Sequence, residues 1–136
     1  AGLDPRVRVR FRNLISALAD RRIILLSTHI VSDVEYIADE ILIMTEGNLI
    51  HTGNPEKIIC PMQGKVWECH SDAAGAKALS RQHTIANLRR EKDAVVLRVI
   101  AEHPPMPQAR MLTPTLEDLY LYCFGEEQDD AHADRI

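Results

Sequence analysis

Apolar positions in the first third of the chain recur at helical spacing, then in a block, then in alternation. Phe11, Leu14, Ile15 and Leu18 fall every three to four residues, the period of an amphipathic helix. Asp4 before Pro5 supplies the start, since Asp caps free amides and proline suits the first helical position. The helix is therefore expected to run to about Ala19. Ile23 to Leu26 is wholly apolar between Arg21-Arg22 and Ser27-Thr28-His29. A short run of that kind suits a strand buried on both faces of a parallel sheet. It would leave His29 at the carboxyl edge, where open α/β sheets receive their ligands. Ser32 and Glu35 have capping-box spacing and predict a short helix to about Ala38. Glu40 to Thr45 and Leu49 to Thr52 predict a hairpin across Glu46-Gly47-Asn48, with Gly47 and Asn48 the residues suited to positive φ. Pro55 opens a short helix to Ile59, and Cys60-Pro61-Met62-Gln63-Gly64 breaks the pattern and marks a domain boundary.

Beyond the break the period changes. Lys65 to His70 alternates as a strand, with Val66 on one face and Trp67 and Cys69 on the other. Ser71-Asp72 caps an alanine-rich helix that turns Ala76 and Leu79 inward. Ile85 to Arg90 and Ala94 to Ala101 predict a hairpin over Glu91-Lys92-Asp93, and Val95, Leu97 and Val99 share one face. His103 to Pro107 is read as a stiff extended connector. Thr115 and Asp118 form a second capping box, ahead of the stripe Leu116, Leu119, Tyr120 and Cys123 and a stop at Gly125. The result is a β-α-β-β-α module of about 60 residues, small enough to be marginal alone.

Composition narrows the chemistry. Net charge is -4 and aromatic content 4%, which argues against a nucleic-acid-coating surface and against stacking platforms. Residues 1 to 22 hold six Arg against two Asp, and residues 125 to 136 hold five acids against one Arg. The basic start reads as a solvated helix face, and the acidic tail 126–136 as disordered. Cys60, Cys69 and Cys123 are scattered and fit reduced thiols in a cytoplasmic protein. No apolar stretch approaches the roughly 20 residues of a membrane helix. Apart from His29, the histidines (His51, His70, His83, His103, His132) lack metal-ligand spacing and read as surface residues.

Ala1-Gly2-Leu3-Asp4-Pro5 resembles the D-loop of ATP-binding cassette (ABC) transporter ATPases. Ser27-Thr28-His29, with Asp33, Glu35, Ala38-Asp39-Glu40-Ile41 and Glu46-Gly47-Asn48, resembles that family's switch-histidine loop and the strands after it, at the family's spacing from Asp4 to His29. Gly53-Asn54-Pro55-Glu56 resembles the end of the cassette. Thr113 to Leu119 resembles, more loosely, a C-terminal extension of bacterial exporter ATPases. The resemblance implies a fold that is α/β: the C-terminal portion of a P-loop NTPase with a parallel sheet layer over residues 1–60, a small α+β accessory domain over 61–125, then the tail. It implies a parent that binds ATP with Mg2+ and hydrolyses it to drive export. The partners implied are a transmembrane permease subunit and a second ATPase subunit as a homodimer, at the cytoplasmic face of the inner membrane, with no nucleic acid.

By the same resemblance His29 is the catalytic switch histidine, holding the γ-phosphate and attacking water. Gly2, Leu3 and Asp4 lie at the nucleotide and dimer interface. No GxxxxGK[ST] occurs in the chain, so no glycine-rich loop can wrap phosphates and no loop lysine can reach them. No apolar strand ending in Asp-Glu precedes Asp4. Leu79-Ser80-Arg81-Gln82 has a superficial likeness to the family's signature, but it lacks the two glycines and falls after His29. The chain by itself is accordingly expected to be inactive, with no cofactor of its own. The alternative reading is a non-enzymatic C-terminal dimerisation or ligand-sensing module over residues 65–124. A His-dependent hydrolase complete in this chain is disfavoured, because no paired nucleophile or carboxylate stands near His29.

Overall fold

The structure, a computed structural model, describes residues 4–125. The chain divides into two compact units, Ala1–Pro55 and Glu56–Ile136. Both are mixed α and β, and both sheets are antiparallel.

The first unit begins with α1, Pro5–Ala19, capped as its sequence predicts: the Asp4 carboxylate accepts a hydrogen bond from the Arg6 amide and Pro5 takes the first position. Helix α2, Val31–Ile37, starts one residue before the expected Ser32 cap, with Ile30 in the cap position and no side-chain cap. Asp33 accepts from Arg8 of α1 at 2.8 Å, which links the two helices. Strands β1, Ile41–Thr45, and β2, Asn48–Gly53, form the expected hairpin. Its turn sits one residue earlier than expected, because Glu46 (φ 48°) and Gly47 (φ 77°) are the positive-φ pair and Asn48 already begins the strand. Two consecutive positive-φ residues give the twist that a two-residue hairpin needs.

The parallel sheet expected in this unit does not form among the described residues. Residues 23–28 take no regular secondary structure and belong to no sheet. A strand exists only where a neighbour accepts its amides and donates to its carbonyls. Strands β1 and β2 pair with each other, and neither pairs with this segment. Ile23 and Leu25 stand 101% and 89% exposed, and neither α1 nor α2 buries a residue.

The second unit holds nearly all of the core. Helix α3, Pro55–Ile59, enters it and passes into a 3₁₀ turn, Cys60–Met62. Gly64, at φ 79°, then bends the chain into β3, Val66–Ser71, a left-handed geometry that glycine adopts without steric cost. There follow α4, Ala73–Gln82; β4, Thr84–Glu91; β5, Ala94–Ile100; β6, Arg110–Met111; and α5, Leu116–Phe124. Asp72 alone caps α4, accepting from the Gly75 amide, while Ser71 ends β3.

The sheet runs β4-β5-β3-β6. On one face Trp67 and Cys69 of β3 meet Leu97 and Val99 of β5 and Ala76 and Leu79 of α4. The alternate residues Val66, Val96 and Ile100 are also buried and point to the opposite face, where α5 lies. A strand covered on both sides reads as continuously apolar, which is how Ala94 to Ile100 reads. Residues 101–109 do not form the expected straight connector. They bend repeatedly, the Ala109 amide donates to the Met106 carbonyl, and Met106 packs on the core. That detour brings β6, which the pattern of the sequence does not announce, alongside β3. Gly2, Leu3, His132 and the acidic tail lie outside the described residues.

Candidate functional site

The loop between the apolar segment 23–26 and α2 presents His29. The Thr28 hydroxyl oxygen accepts from the Ile30 amide at 3.0 Å, a side-chain turn of the kind Thr favours ahead of a helix. The backbone therefore bends at His29, and its side chain is exposed. Behind the loop, α2 is fixed to α1 by the Arg8–Asp33 pair and by Arg12, whose guanidinium lies 5.3 Å from the Tyr36 ring centre. An exposed imidazole on a short, anchored loop can donate one ring hydrogen and accept at the other nitrogen.

Asp4 occupies the start of α1. Its Oδ1 accepts from the Arg6 amide at 2.8 Å, its Oδ2 lies 3.6 Å from the Arg6 guanidinium, and the carboxylate stays half exposed. Among the described residues no hydrogen bond or ion pair joins Asp4 to His29. No group of three His, Cys, Asp or Glu side chains among the described residues could hold a metal ion, so none of them is assigned to magnesium. Of the remaining described histidines, His51, His70 and His103 are exposed, and His83 is half-buried at the end of α4.

Two polar clusters sit in the second unit. Arg98 of β5 makes a forked contact with Asp118 of α5, Nε to Oδ1 at 2.9 Å and Nη2 to Oδ2 at 2.6 Å, and also donates to the Thr113 carbonyl at 2.9 Å. Asp118 is buried and also accepts from the Thr115 amide and hydroxyl at 2.8 and 3.0 Å. Here the expected capping box forms. The hydrogen bond from Arg98 to Asp118 holds the guanidinium above its ordinary pKa against the opposing effect of burial, with a lesser contribution from the attraction of that carboxylate. The partnership with Arg98 is one that capping rules do not reveal. Its signal is a lone charge inside the apolar run Val95 to Ile100, which requires a partner wherever such a strand is buried.

The second cluster is Glu68 of β3, which meets His70 at 3.1 Å and Arg110 of β6 at 3.0 Å. The His70 contact, then Arg110, holds the Glu68 carboxyl below the usual range despite partial burial. Neither cluster has an adjacent nucleophile. Cys69 and Cys123 are both pushed up by burial, Cys69 further by the charge of Glu68. Such thiols are poor nucleophiles.

The chain as a whole has relatives among known proteins. No protein-family model matches the chain. An ABC transporter ATP-binding protein of Synechocystis is 28% identical over 133 aligned positions, covering 89% of this chain and 36% of its own length. The Nod factor export ATP-binding protein I of Ralstonia nicotianae is 30% identical over 145 positions, covering 95% of this chain and 45% of its own length. An energy-coupling factor transporter ATP-binding protein of Lactiplantibacillus plantarum is 35% identical over 60 positions, 43% of this chain. The chain belongs to the ATP-binding proteins of ABC transporters. It spans a third to a half of the length of the two relatives that match it along most of its sequence.

Proposed function

We propose that this chain is the C-terminal portion of the ATP-binding subunit of an ABC exporter, running from the D-loop through the switch-histidine loop to an accessory domain. The parent binds ATP with Mg2+, pairs with a second ATPase subunit, docks on a membrane permease and hydrolyses ATP to drive export. The Ralstonia relative, a Nod factor export ATP-binding protein, supports the direction. One observation carries the reading beyond kinship. The segment leading to His29 is apolar, pairs with no strand among the described residues and leaves Ile23 and Leu25 bare, as a sheet strand would be if the strands on either side of it came from elsewhere.

In this reading Asp4, Gly2 and Leu3 line the nucleotide and dimer interface, and His29 is the catalytic positioning donor. Phosphoryl transfer leaves little covalent chemistry to the protein, and fixed donors aimed at developing charge supply most of the acceleration. The bend at Thr28–Ile30 and the anchoring of α2 on α1 fix the backbone that presents the imidazole. One ring nitrogen can then donate toward a terminal phosphate without reorganisation. The cradle for the phosphates and the carboxylate that polarises water belong to parts of the parent that this chain does not supply.

The test is His29→Ala in the parent. Turnover should fall on the order of 10²–10³, the scale of removing one positioned donor, with ATP binding retained. Unchanged turnover would falsify the assignment. The 136-residue chain alone should bind ATP negligibly, and calorimetry detecting magnesium-dependent binding would contradict that.

A second reading, dimerisation or ligand sensing by the second unit, draws on its self-contained core and on β4, which pairs only with β5 and leaves an open edge. Size-exclusion of residues 65–136 against the whole chain separates the two, since a dimer formed by both pieces favours the second.

A further inference from the structure

A cleft of ≈ 340 Å³ lies between α4 and the outer end of the β4–β5 hairpin. On the helix side Ala73, Ala76, Lys77, Ser80 and Arg81 form a single stripe at helical spacing. On the sheet side Leu88 and Arg90 point the same way, opposite Leu97 and Val95 in register. The alternate residues Arg89 and Glu91 point to the other face and contact each other at 3.2 Å. The cleft thus has an apolar floor and three cations around it, Lys77, Arg81 and Arg90. No carboxylate lines it.

Elsewhere in this unit the arginines are matched: Arg89 with Glu91, Arg98 with Asp118 and Arg110 with Glu68. Among the described residues Lys77, Arg81 and Arg90 form no ion pair. The carboxylates nearest in sequence are engaged or outside the lining: Asp72 accepts from the Gly75 amide at 2.7 Å, and Asp93 sits in the hairpin turn. Ser80 donates to the Ala76 carbonyl, which leaves the three cations as the available donors. In a chain of net charge -4, folding alone gives no reason to gather unmatched cations round one cleft.

We propose that the cleft binds a small amphipathic phosphate, its phosphoryl group held by Lys77, Arg81 and Arg90 and its apolar body against Ala76, Leu88 and Val95. A phosphate ester carries about -1.5 to -2 charges and three acceptor oxygens, matched by two guanidinium forks and an ammonium. The volume lies at the small end of ligand sites, roughly 300–1,000 Å³. Both a soluble phosphate monoester and the monoester headgroup of phosphatidic acid present this chemistry.

The experiment titrates the full chain with phenyl phosphate while following backbone amides, and in parallel sediments it with vesicles of phosphatidylcholine with or without phosphatidic acid. The expected result is saturable binding with shifts centred on residues 73–81 and 88–95, or retention on the anionic vesicles only. The first identifies a soluble ester, the second a headgroup. Arg81→Gln/Arg90→Gln should weaken whichever binding is seen by about tenfold or more, the loss of two charge-assisted contacts. Arg89→Gln, on the opposite face, should leave it unchanged. All three side chains are exposed, and Lys77→Gln serves if the double variant misfolds. The proposal is overturned by no binding in either arm, by binding that survives Arg81→Gln/Arg90→Gln, or by an equal loss in Arg89→Gln.

Discussion

The two units use similar amounts of apolar sequence to opposite ends. In the second, Trp67, Cys69, Leu97 and Val99 vanish from solvent between two helices. In the first, Phe11, Leu14, Ile23, Leu25 and Leu49 remain largely exposed, on elements whose local signals are just as good. Capping, spacing and turn chemistry are satisfied in both. The difference lies in closure. The four-stranded sheet brings two helices to its own faces, whereas the first unit offers a helix pair and a hairpin with no sheet for the apolar stripe of α1 to cover. Exposed apolar surface on this scale marks a site of interaction with other protein surface, which accords with a motor layer completed by the rest of the parent.

The contrast can be broken most sharply at Leu97. Truncation to Ala should cost ~2–5 kcal/mol, the range for a fully buried leucine, and chemical denaturation of the chain reads it directly. Equal tolerance at Leu97 and at exposed Leu25 would remove the distinction between the units. Next comes Asp118→Ala, which strands the Arg98 guanidinium half-buried and uncaps α5. A loss of ~2–3 kcal/mol is expected, below that of a fully buried pair because Arg98 keeps some solvent. Asp118→Asn should recover part of it by keeping the cap.

A smaller effect follows from pH. The Glu68 carboxyl is held below its ordinary value of 4.5 by His70 and Arg110. A depressed folded pKa adds stability that is present above the unfolded value and is lost as pH falls through the folded one. The urea midpoint should therefore decline as pH drops below the ordinary carboxylate range, and Glu68→Gln should flatten part of that slope. A slope indifferent to the substitution would remove Glu68 from the account. Smallest of all, Leu25→Asp should change the stability of this chain by no more than about 0.5 kcal/mol. The amides of residues 23–28 should exchange at nearly unprotected rates while those of β3 and β5 resist.

Much of the local structure was legible because its causes are local. Asp4-Pro5, Asp72 and Thr115 with Asp118 each announce a helix start through an interaction within a few residues. The Glu46-Gly47 turn and the alternation in β3 need no distant partner either. The failures share a cause as well. The run Ile23 to Leu26 satisfies every local requirement of a buried strand, yet pairing is a property of its neighbours, and the described chain supplies none. Ser32 and Glu35 have the right spacing for a cap, but α2 begins at Val31 with no side-chain cap, and the link from Arg8 to Asp33 joins residues far apart in sequence. Strand β6 is invisible because two residues carry no period, and it forms only because the bends at 101–109 bring Arg110 to Glu68. Of the candidate site, the cap at Asp4 was readable, whereas the sheet edge expected to carry His29 does not form among the described residues. The partnership of Arg98 with Asp118 needed the fold.

The Arg98–Asp118 lock has a consequence for synthesis. Helix α5 is the last described element, and it supplies the carboxylate that answers Arg98 on the sheet. A nascent chain still held in the ribosomal tunnel at Thr115 leaves that guanidinium unmatched, so this half cannot mature until α5 has emerged. A chain ending before Leu116 would therefore yield a protease-sensitive product and not a slightly shorter domain.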